Sequence, residues 1–247
     1  MSAPLFLLDE GRLRDARAGD EVVLAGDEGR HAATVRRLGP GESVQLADGT
    51  GRVARGEVAS AARHELTVRV LEVEDRPAPD PRFVLVQALA KGDRDQQAVE
   101  AATELGVDEV VPWQADRSIV VWRGDRAARA LRKWRSLVRA ASKQSRRATV
   151  PAVSPPAGRS EVAARVAGAQ LALLLDESAE SPLVAEPLPT SGEILLLVGP
   201  EGGVSPEEAE ALVAAGARRV RLGDTVLRSS SAGPAALAAL LAATRWR

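Results

Sequence analysis

Leu195-Leu-Leu-Val-Gly-Pro-Glu-Gly-Gly-Val-Ser-Pro-Glu-Glu208 decides how this 247-residue sequence is read. An apolar strand runs into a glycine-rich turn and then into a helix. Gly199, Gly202 and Gly203 tolerate positive φ and let a ligand approach the backbone closely. Ser205 is placed to cap the helix, with Glu207 and Glu208 in its first turn. In an α/β protein such a loop lies at the carboxyl end of a strand, where open sheets bind ligands. It is neither the GxGxxG dinucleotide pattern nor a P-loop, because the P-loop lysine is missing. A tight turn with no ligand is the plain alternative.

A second loop of the same kind follows. Arg219-Val-Arg-Leu-Gly-Asp-Thr-Val-Leu-Arg-Ser-Ser-Ser-Ala232 ends a strand in Leu-Gly and leads through Val-Leu-Arg into a final helix from about Ala232 to Thr244. Two such loops side by side can hold a flat ligand through backbone groups. Upstream, the spacing predicts strands at Phe83–Ala90, Glu109–Pro112, Ser118–Trp122, Leu171–Asp176 and Glu193–Val198, and helices at Arg94–Leu105, Asp125–Ser145 and Ser160–Val166. Gly106 and Gly216 stop two of the helices. Strands alternating with helices give an α/β layer with a largely parallel sheet.

Arg76-Pro-Ala-Pro-Asp-Pro-Arg82 can continue neither a ladder nor a helix. It divides residues 83–247 from residues 1–75, with 76–82 as linker. The first part is β-rich, with segments at Val22–Ala25, Ser43–Ala47, Arg52–Val58 and Glu65–Val73 separated by Gly/Asp turns. One helix interrupts them, capped by Asp27, with Ala32, Val35 and Leu38 at helical spacing before Gly39-Pro40-Gly41. A small β-barrel is expected.

Composition narrows the function. With no Cys there is no disulfide framework, thiolate nucleophile or Cys-based metal site. Two isolated His residues, His31 and His64, make no metal cluster. Aromatic residues are 2%, which argues against a stacking platform for single-stranded nucleic acid. Of 33 basic residues, 30 are Arg, and Ala occurs 45 times. A biased genome accounts for this, and Arg also suits bidentate phosphate contacts.

The net charge of −1 hides a strong segregation. Arg117 to Arg147 holds eleven basic residues and one acid, while Gln170 to Glu210 holds nine acids and no Lys or Arg. A merely solvated helix face would pair its charges. The excess favours a phosphate-reading surface at Arg132, Lys133, Arg135, Arg139, Arg146 and Arg147. The N-terminus lacks the basic and long apolar regions of a signal peptide, and no apolar run reaches a membrane-spanning length. A cytoplasmic protein without membrane association is expected.

Val198-Gly-Pro-Glu-Gly-Gly203, Leu222-Gly and Val226-Leu-Arg228 resemble the knotted SPOUT methyltransferases, and more narrowly the ribosomal RNA small subunit methyltransferase E family. Pro4-Leu-Phe-Leu, His31 with Val35-Arg36-Arg37-Leu38, and Ala47-Asp-Gly-Thr-Gly51 resemble that family's PUA-like barrel. Ala88-Leu-Ala-Lys-Gly-Asp-Arg94, Ala102-Thr-Glu-Leu-Gly-Val107, Gln144-Ser-Arg-Arg147 and Val150-Pro151 resemble further segments. Their order covers nearly the whole chain.

The resemblance implies an α/β SPOUT domain with a trefoil knot, S-adenosyl-L-methionine as cofactor, a homodimer, and N3 methylation of a uridine in the decoding region of 16S rRNA in the small ribosomal subunit. Carried over by position, Val198, Gly199, Glu201, Gly202, Leu222, Gly223, Val226 and Leu227 line the cofactor pocket, and Arg228 sits beside the reacting base. This chain departs from the family at Ser230, where an acid is usual, and at Lys143. Ribose 2′-O methylation of rRNA or tRNA by the same fold, or an inactive RNA-binding or assembly module, are the alternatives. His31 is either a packed histidine or an RNA contact.

Overall fold

A computed structural model describes residues 3–246. Met1 and Ser2, which open the stretch read for a targeting signal, and Arg247 lie outside the described residues. The chain divides into two compact units. One holds the residues up to Ala78 together with Ser142–Val150, and the other holds Pro79–Ala141 with the residues from Pro151 onward.

The first unit is a five-stranded sheet. Its strands in chain order are β1 (Leu5–Leu7), β2 (Glu21–Leu24), β3 (Ser43–Ala47), β4 (Arg52–Ala61) and β5 (Leu66–Asp75), and their spatial order is β1-β3-β4-β5-β2. β1 runs parallel to β3, and the other pairs are antiparallel. Alternating side chains send Val44, Leu46, Ala54, Val58, Leu66, Val68 and Val70 into one core with Phe6, Leu13 and Leu24. Burying each of the larger side chains stabilises by about 1.5–3 kcal/mol. The register of β4 on β5 shifts beside Gly56, where an added Cβ would lie 2.4 Å from the Arg69 carbonyl oxygen.

The helix of this unit differs from its expected form. α1 (Gly26–Arg30) starts from Ala25, which makes no side-chain cap. Asp27 lies inside the first turn and pairs with Arg30 at 2.8 Å. The chain then widens into a π-turn over His31–Val35, with the Arg36 N–H bonded to the His31 carbonyl at 2.9 Å. Widening breaks the 3.6-residue spacing: Ala32 is buried, but Val35 is 67% exposed.

Residues 142–150 belong with this unit, which a single boundary between residues 76 and 82 does not accommodate. Ala148 packs with Leu5, Leu7, Ala47 and Val53. The Val150 N–H donates to the Gly49 carbonyl at 2.9 Å, and Lys143 pairs with Glu28 at 2.6 Å.

The second unit is a six-stranded parallel sheet between helices. The strands are β6 (Arg82–Ala88), β7 (Glu109–Trp113), β8 (Ala152–Val153), β9 (Leu171–Leu175), β10 (Glu193–Val198) and β11 (Arg218–Val220), in spatial order β11-β9-β10-β6-β7-β8. Ile194 to Val198 are all buried, as a strand covered on both faces requires. The helices are α2 (Arg94–Leu105), α3 (Gly124–Gln144), α4 (Arg159–Gly168), α5 (Pro206–Ala214) and α6 (Ser229–Ala243). On α3, Trp134, Val138 and Ala141 are buried, and Trp122 meets Trp134 edge to face at 5.3 Å.

Three differences from the sequence reading have local causes. Ser118–Trp122 is not a strand. The Gln114 side-chain amide satisfies its backbone instead, donating to the Val120 carbonyl at 3.0 Å and accepting from the Trp122 N–H at 3.1 Å. α6 begins three residues early because Ser229 to Ser231 are helical, and it presses close to the sheet at Gly233, where a Cβ would meet Leu85 at 3.0 Å and Val198 at 3.3 Å. β8, only two residues long, has no periodicity to read.

Candidate active site

Ser205 accepts a hydrogen bond from the Glu208 N–H at 3.1 Å, so α5 starts where the capping pattern places it. The preceding loop, Gly199 to Val204, therefore opens from the carboxyl end of β10. Gly199 has no room for a side chain, since a Cβ would lie 2.7 Å from Val204 Cγ2. Gly203 has φ +71°, and its N–H closes a turn on the Pro200 carbonyl at 2.9 Å. The second loop, Arg221 to Arg228, leads from the end of β11 into α6.

The two loops face one cavity of about 1180 Å³. Val198, Gly199, Glu201, Gly202, Leu222, Gly223, Val226, Leu227 and Arg228 all line it. The structure thus brings together every residue expected at the cofactor pocket, with Arg228. Val226 and Leu227 are 72% and 40% exposed and form an apolar lip on the cavity. The size suits a nucleoside-sized ligand, and the glycines leave backbone donors and acceptors accessible to it.

Arg94, Arg117, Asp176 and Arg219 also line the wall and were not among the residues expected at the pocket. Arg94 donates to Glu201 at 2.8 Å, Arg117 to the Gly202 carbonyl at 3.1 Å, and Arg219 to Asp176 at 2.8 Å. Arg221, also on the wall, pairs with Asp224 at 2.7 Å. Their partners are distant in sequence for the first three, and no local pattern announces them.

Electrostatics divide the acids. Partial burial opposes ionisation of Glu201, but hydrogen bonds from its own N–H, from Arg94 and from the Lys91 N–H outweigh it and hold the carboxyl below its usual range. Asp176 is held low in the same way against partial burial, by the Ser178 hydroxyl and N–H and by Arg219. Asp95, buried behind the Ala90 N–H, moves the other way: burial raises it, and Glu201 adds repulsion. Beside Arg228, the Ser229 hydroxyl is buried with no hydrogen-bond partner, and so is the Gln87 side-chain oxygen Oε1 near Gly233. Ser230 is half-buried in the first turn of α6.

The basic residues lie elsewhere. Arg132, Lys133 and Arg135 are exposed on α3, and Arg139 is half-buried there. Arg146 and Arg147 follow the helix, with Arg146 in the left-handed region at φ +57°. Their N–H groups close the helix end on the Lys143 and Ser142 carbonyls. His31 is half-buried and packs edge-on to Phe6 at 6.3 Å. Among the described residues no group of His, Asp or Glu could hold a metal ion, and no helix is long and apolar enough to cross a membrane.

The RNA methyltransferase domain family matches residues 77–241, and the RNA methyltransferase PUA domain family matches residues 24–71. The chain is 45% identical over 251 positions to ribosomal RNA small subunit methyltransferase E of Mycobacterium bovis, covering 100% of this chain and 94% of that protein. A crystal structure of the ribosomal RNA small subunit methyltransferase E of Neisseria gonorrhoeae bound to S-adenosyl methionine superposes with a TM-score of 0.84. It is 29% identical and covers 98% of each chain. A Legionella pneumophila methyltransferase in complex with the same cofactor superposes with a TM-score of 0.82, at 26% identity and 99% coverage of each chain. With a PUA-like first unit, a SPOUT-type second unit and a full-length relative at this identity, the chain belongs to the ribosomal RNA small subunit methyltransferase E family.

Proposed function

We propose that this protein is an S-adenosyl-L-methionine-dependent methyltransferase that modifies N3 of a uridine in the decoding region of 16S rRNA. The observation that carries this reading is the state of Arg228. Five arginines on the cavity wall have been described, and four are tied to a carboxylate or a carbonyl. The Arg228 side chain has no partner among the described residues and is exposed at the rim, between the two loops. A cation left uncommitted at a ligand cavity is available to a substrate.

The residues fit the cofactor. Gly199, Gly202 and Gly223 would present backbone groups to it, and Val198, Leu222, Val226 and Leu227 would cover its apolar face. When bound, S-adenosyl-L-methionine supplies an electrophilic methyl group carried on a sulfonium. The chain's own contribution is then position and charge. Holding the two reactants in line accounts for much of such an acceleration. Uracil N3–H must lose its proton to solvent water, and the charge that remains spreads to O2 and O4. The Arg228 guanidinium, aimed at one of those oxygens, stabilises that anion. Glu201, held ionised and bonded to Arg94, orients the loop and is a poor proton acceptor. With Ser230 where the family has an acid, no carboxylate at that position takes part.

The reading includes a homodimer in the cytoplasm, the trefoil knot of the SPOUT fold, the 16S rRNA of the small ribosomal subunit as partner, and no metal. Arg132, Lys133, Arg135, Arg139, Arg146 and Arg147 contact rRNA phosphates. Mass mapping of small-subunit rRNA from a deletion strain tests the function. One uridine lacking a methyl group, restored by the intact gene, is the expected result. An unchanged map overturns the assignment, and a missing ribose methyl would move it to the 2′-hydroxyl.

A further inference from the structure

Gly199 to Val204 is a poor candidate to hold its own shape. Three of its six residues are glycine, ordering each residue costs about 1–2 kcal/mol of backbone entropy, and glycine loses most. Within the loop the Gly203 N–H closes a turn on the Pro200 carbonyl at 2.9 Å. Glu201 is tied to Arg94 at 2.8 Å and to the Lys91 N–H at 3.3 Å, and the other restraints on the middle and end of the loop come from the segment after β7, a stretch with no part in the function proposed above.

Arg117 donates to the Gly202 carbonyl at 3.1 Å, in the middle of the loop. Asp116 Oδ2 accepts from the Ser205 hydroxyl at 3.1 Å, where the loop becomes α5. The Asp116 N–H donates to the buried Glu208 carboxyl at 3.2 Å, one turn further on. Asp116 is itself paired with Arg159. The segment that makes these contacts is fixed independently. The Gln114 N–H bonds the Ala157 carbonyl at 2.8 Å, its side chain spans to Val120 and Trp122, and the Ser118 N–H closes on the Ala115 carbonyl at 2.9 Å. A segment fixed by its own hydrogen bonds therefore holds the glycine-rich loop at its middle and at its end.

We infer that Asp116 and Arg117 are positioning residues that pre-form the ligand loop, acting on the methyl donor through Gly202 and Ser205. The inference rests on the proposed function for the identity of the ligand, but the clamp itself is a property of the free protein. Pre-forming a loop strengthens binding by removing the ordering that the ligand would otherwise have to drive.

The experiment uses the full chain and the variants Arg117→Ala, Arg117→Lys and Asp116→Asn. Affinity for S-adenosyl-L-methionine and S-adenosylhomocysteine is measured by titration calorimetry, and amide exchange of residues 199–205 is followed without ligand. Arg117→Ala is expected to weaken both ligands about tenfold, the loss of one charge-assisted hydrogen bond. Exchange across 199–205 should rise, and the donor KM should rise by a larger factor than kcat at saturating donor falls. Arg117→Lys, which can still donate to Gly202, should recover part of both effects. Asp116→Asn keeps an acceptor for Ser205 and should act more mildly.

Unchanged ligand affinity with unchanged exchange overturns the inference. So does a rise in rRNA KM with donor affinity intact, which would make Arg117 an RNA contact. A wild-type chain that binds neither ligand overturns the proposed function, and the exchange measurement then still decides the clamp.

Discussion

Arg94 on α2 and Glu201 in the ligand loop meet at 2.8 Å, although 107 residues separate them in sequence. The contact helps to hold Glu201, an acid on the cavity wall, in its ionised form. Because the folded pKa of Glu201 is depressed, the carboxylate stays charged down to acidic pH, and no inflection near neutrality can come from it. Glu201→Gln should weaken donor binding and leave the limbs of the pH–rate profile where they are. Loss or displacement of a limb in that variant would make Glu201 the base.

Arg228→Ala should lower kcat about 10²–10³-fold, the effect of removing one preorganised donor to a developing anion. Donor affinity should remain within about twofold. Arg228→Lys should recover part of the rate, since the charge survives without the planar fork. Undiminished methylation by Arg228→Ala at saturating donor would sink the role assigned to it.

The α3 arginines make a salt-dependent prediction. Each phosphate contact contributes about 0.7–0.9 to the slope of log affinity against log salt. Replacing Arg132, Lys133 and Arg135 together by Gln should reduce that slope by about 2 and weaken rRNA binding, with donor affinity unaltered. A slope that does not move would place the RNA elsewhere.

Glu109 supports a stability prediction. Its side chain is 7% exposed and pairs with Arg82 and Arg165, each at 2.7 Å. Burial opposes its charge, but hydrogen bonds from Arg165 and Ser154 and the two guanidinium charges prevail, so its pKa is lowered. A depressed folded pKa stabilises above the unfolded value, and the contribution disappears as pH falls through the folded one. Glu109→Gln should cost about 2 kcal/mol at pH 7 in urea unfolding, below the range for fully buried pairs because Arg82 is 40% exposed. The difference from wild type should shrink towards pH 3. A constant difference would assign the loss to packing.

Arg37 occupies the left-handed region at φ +56°, where a side chain costs about 1 kcal/mol. Arg37→Gly should relieve it and raise the Tm of the first unit by about 4 °C. A fall in Tm would show that the exposed side chain contributes more than its backbone loses.

Much of the second unit was legible because its signals are local. β10 and α2 have the bounds read for them, the first from an unbroken apolar run and the second from periodicity ended by Gly106. Both glycine loops follow strands, and their residues converge as strand–loop–helix order dictates. What escaped depended on partners far along the chain. Ser118 to Trp122 carries β-branched residues in strand-like spacing, yet one glutamine satisfies its backbone. Asp27 has the chemistry of a cap but stands two residues too late. Arg94 and Arg117 reach the cavity only because the parallel sheet sets the end of β6 and the end of β7 near the end of β10.

Ala148 and Val150 complete the apolar cluster around Leu5, Leu7, Ala47 and Val53. During synthesis the first unit therefore stays unfinished after its last strand has left the ribosome. At about 5–20 residues per second, another 70 residues take roughly 4–14 s. For that interval the edge that waits for residues 148 and 150 is open to chaperones, and a fragment ending near residue 78 would keep it open permanently.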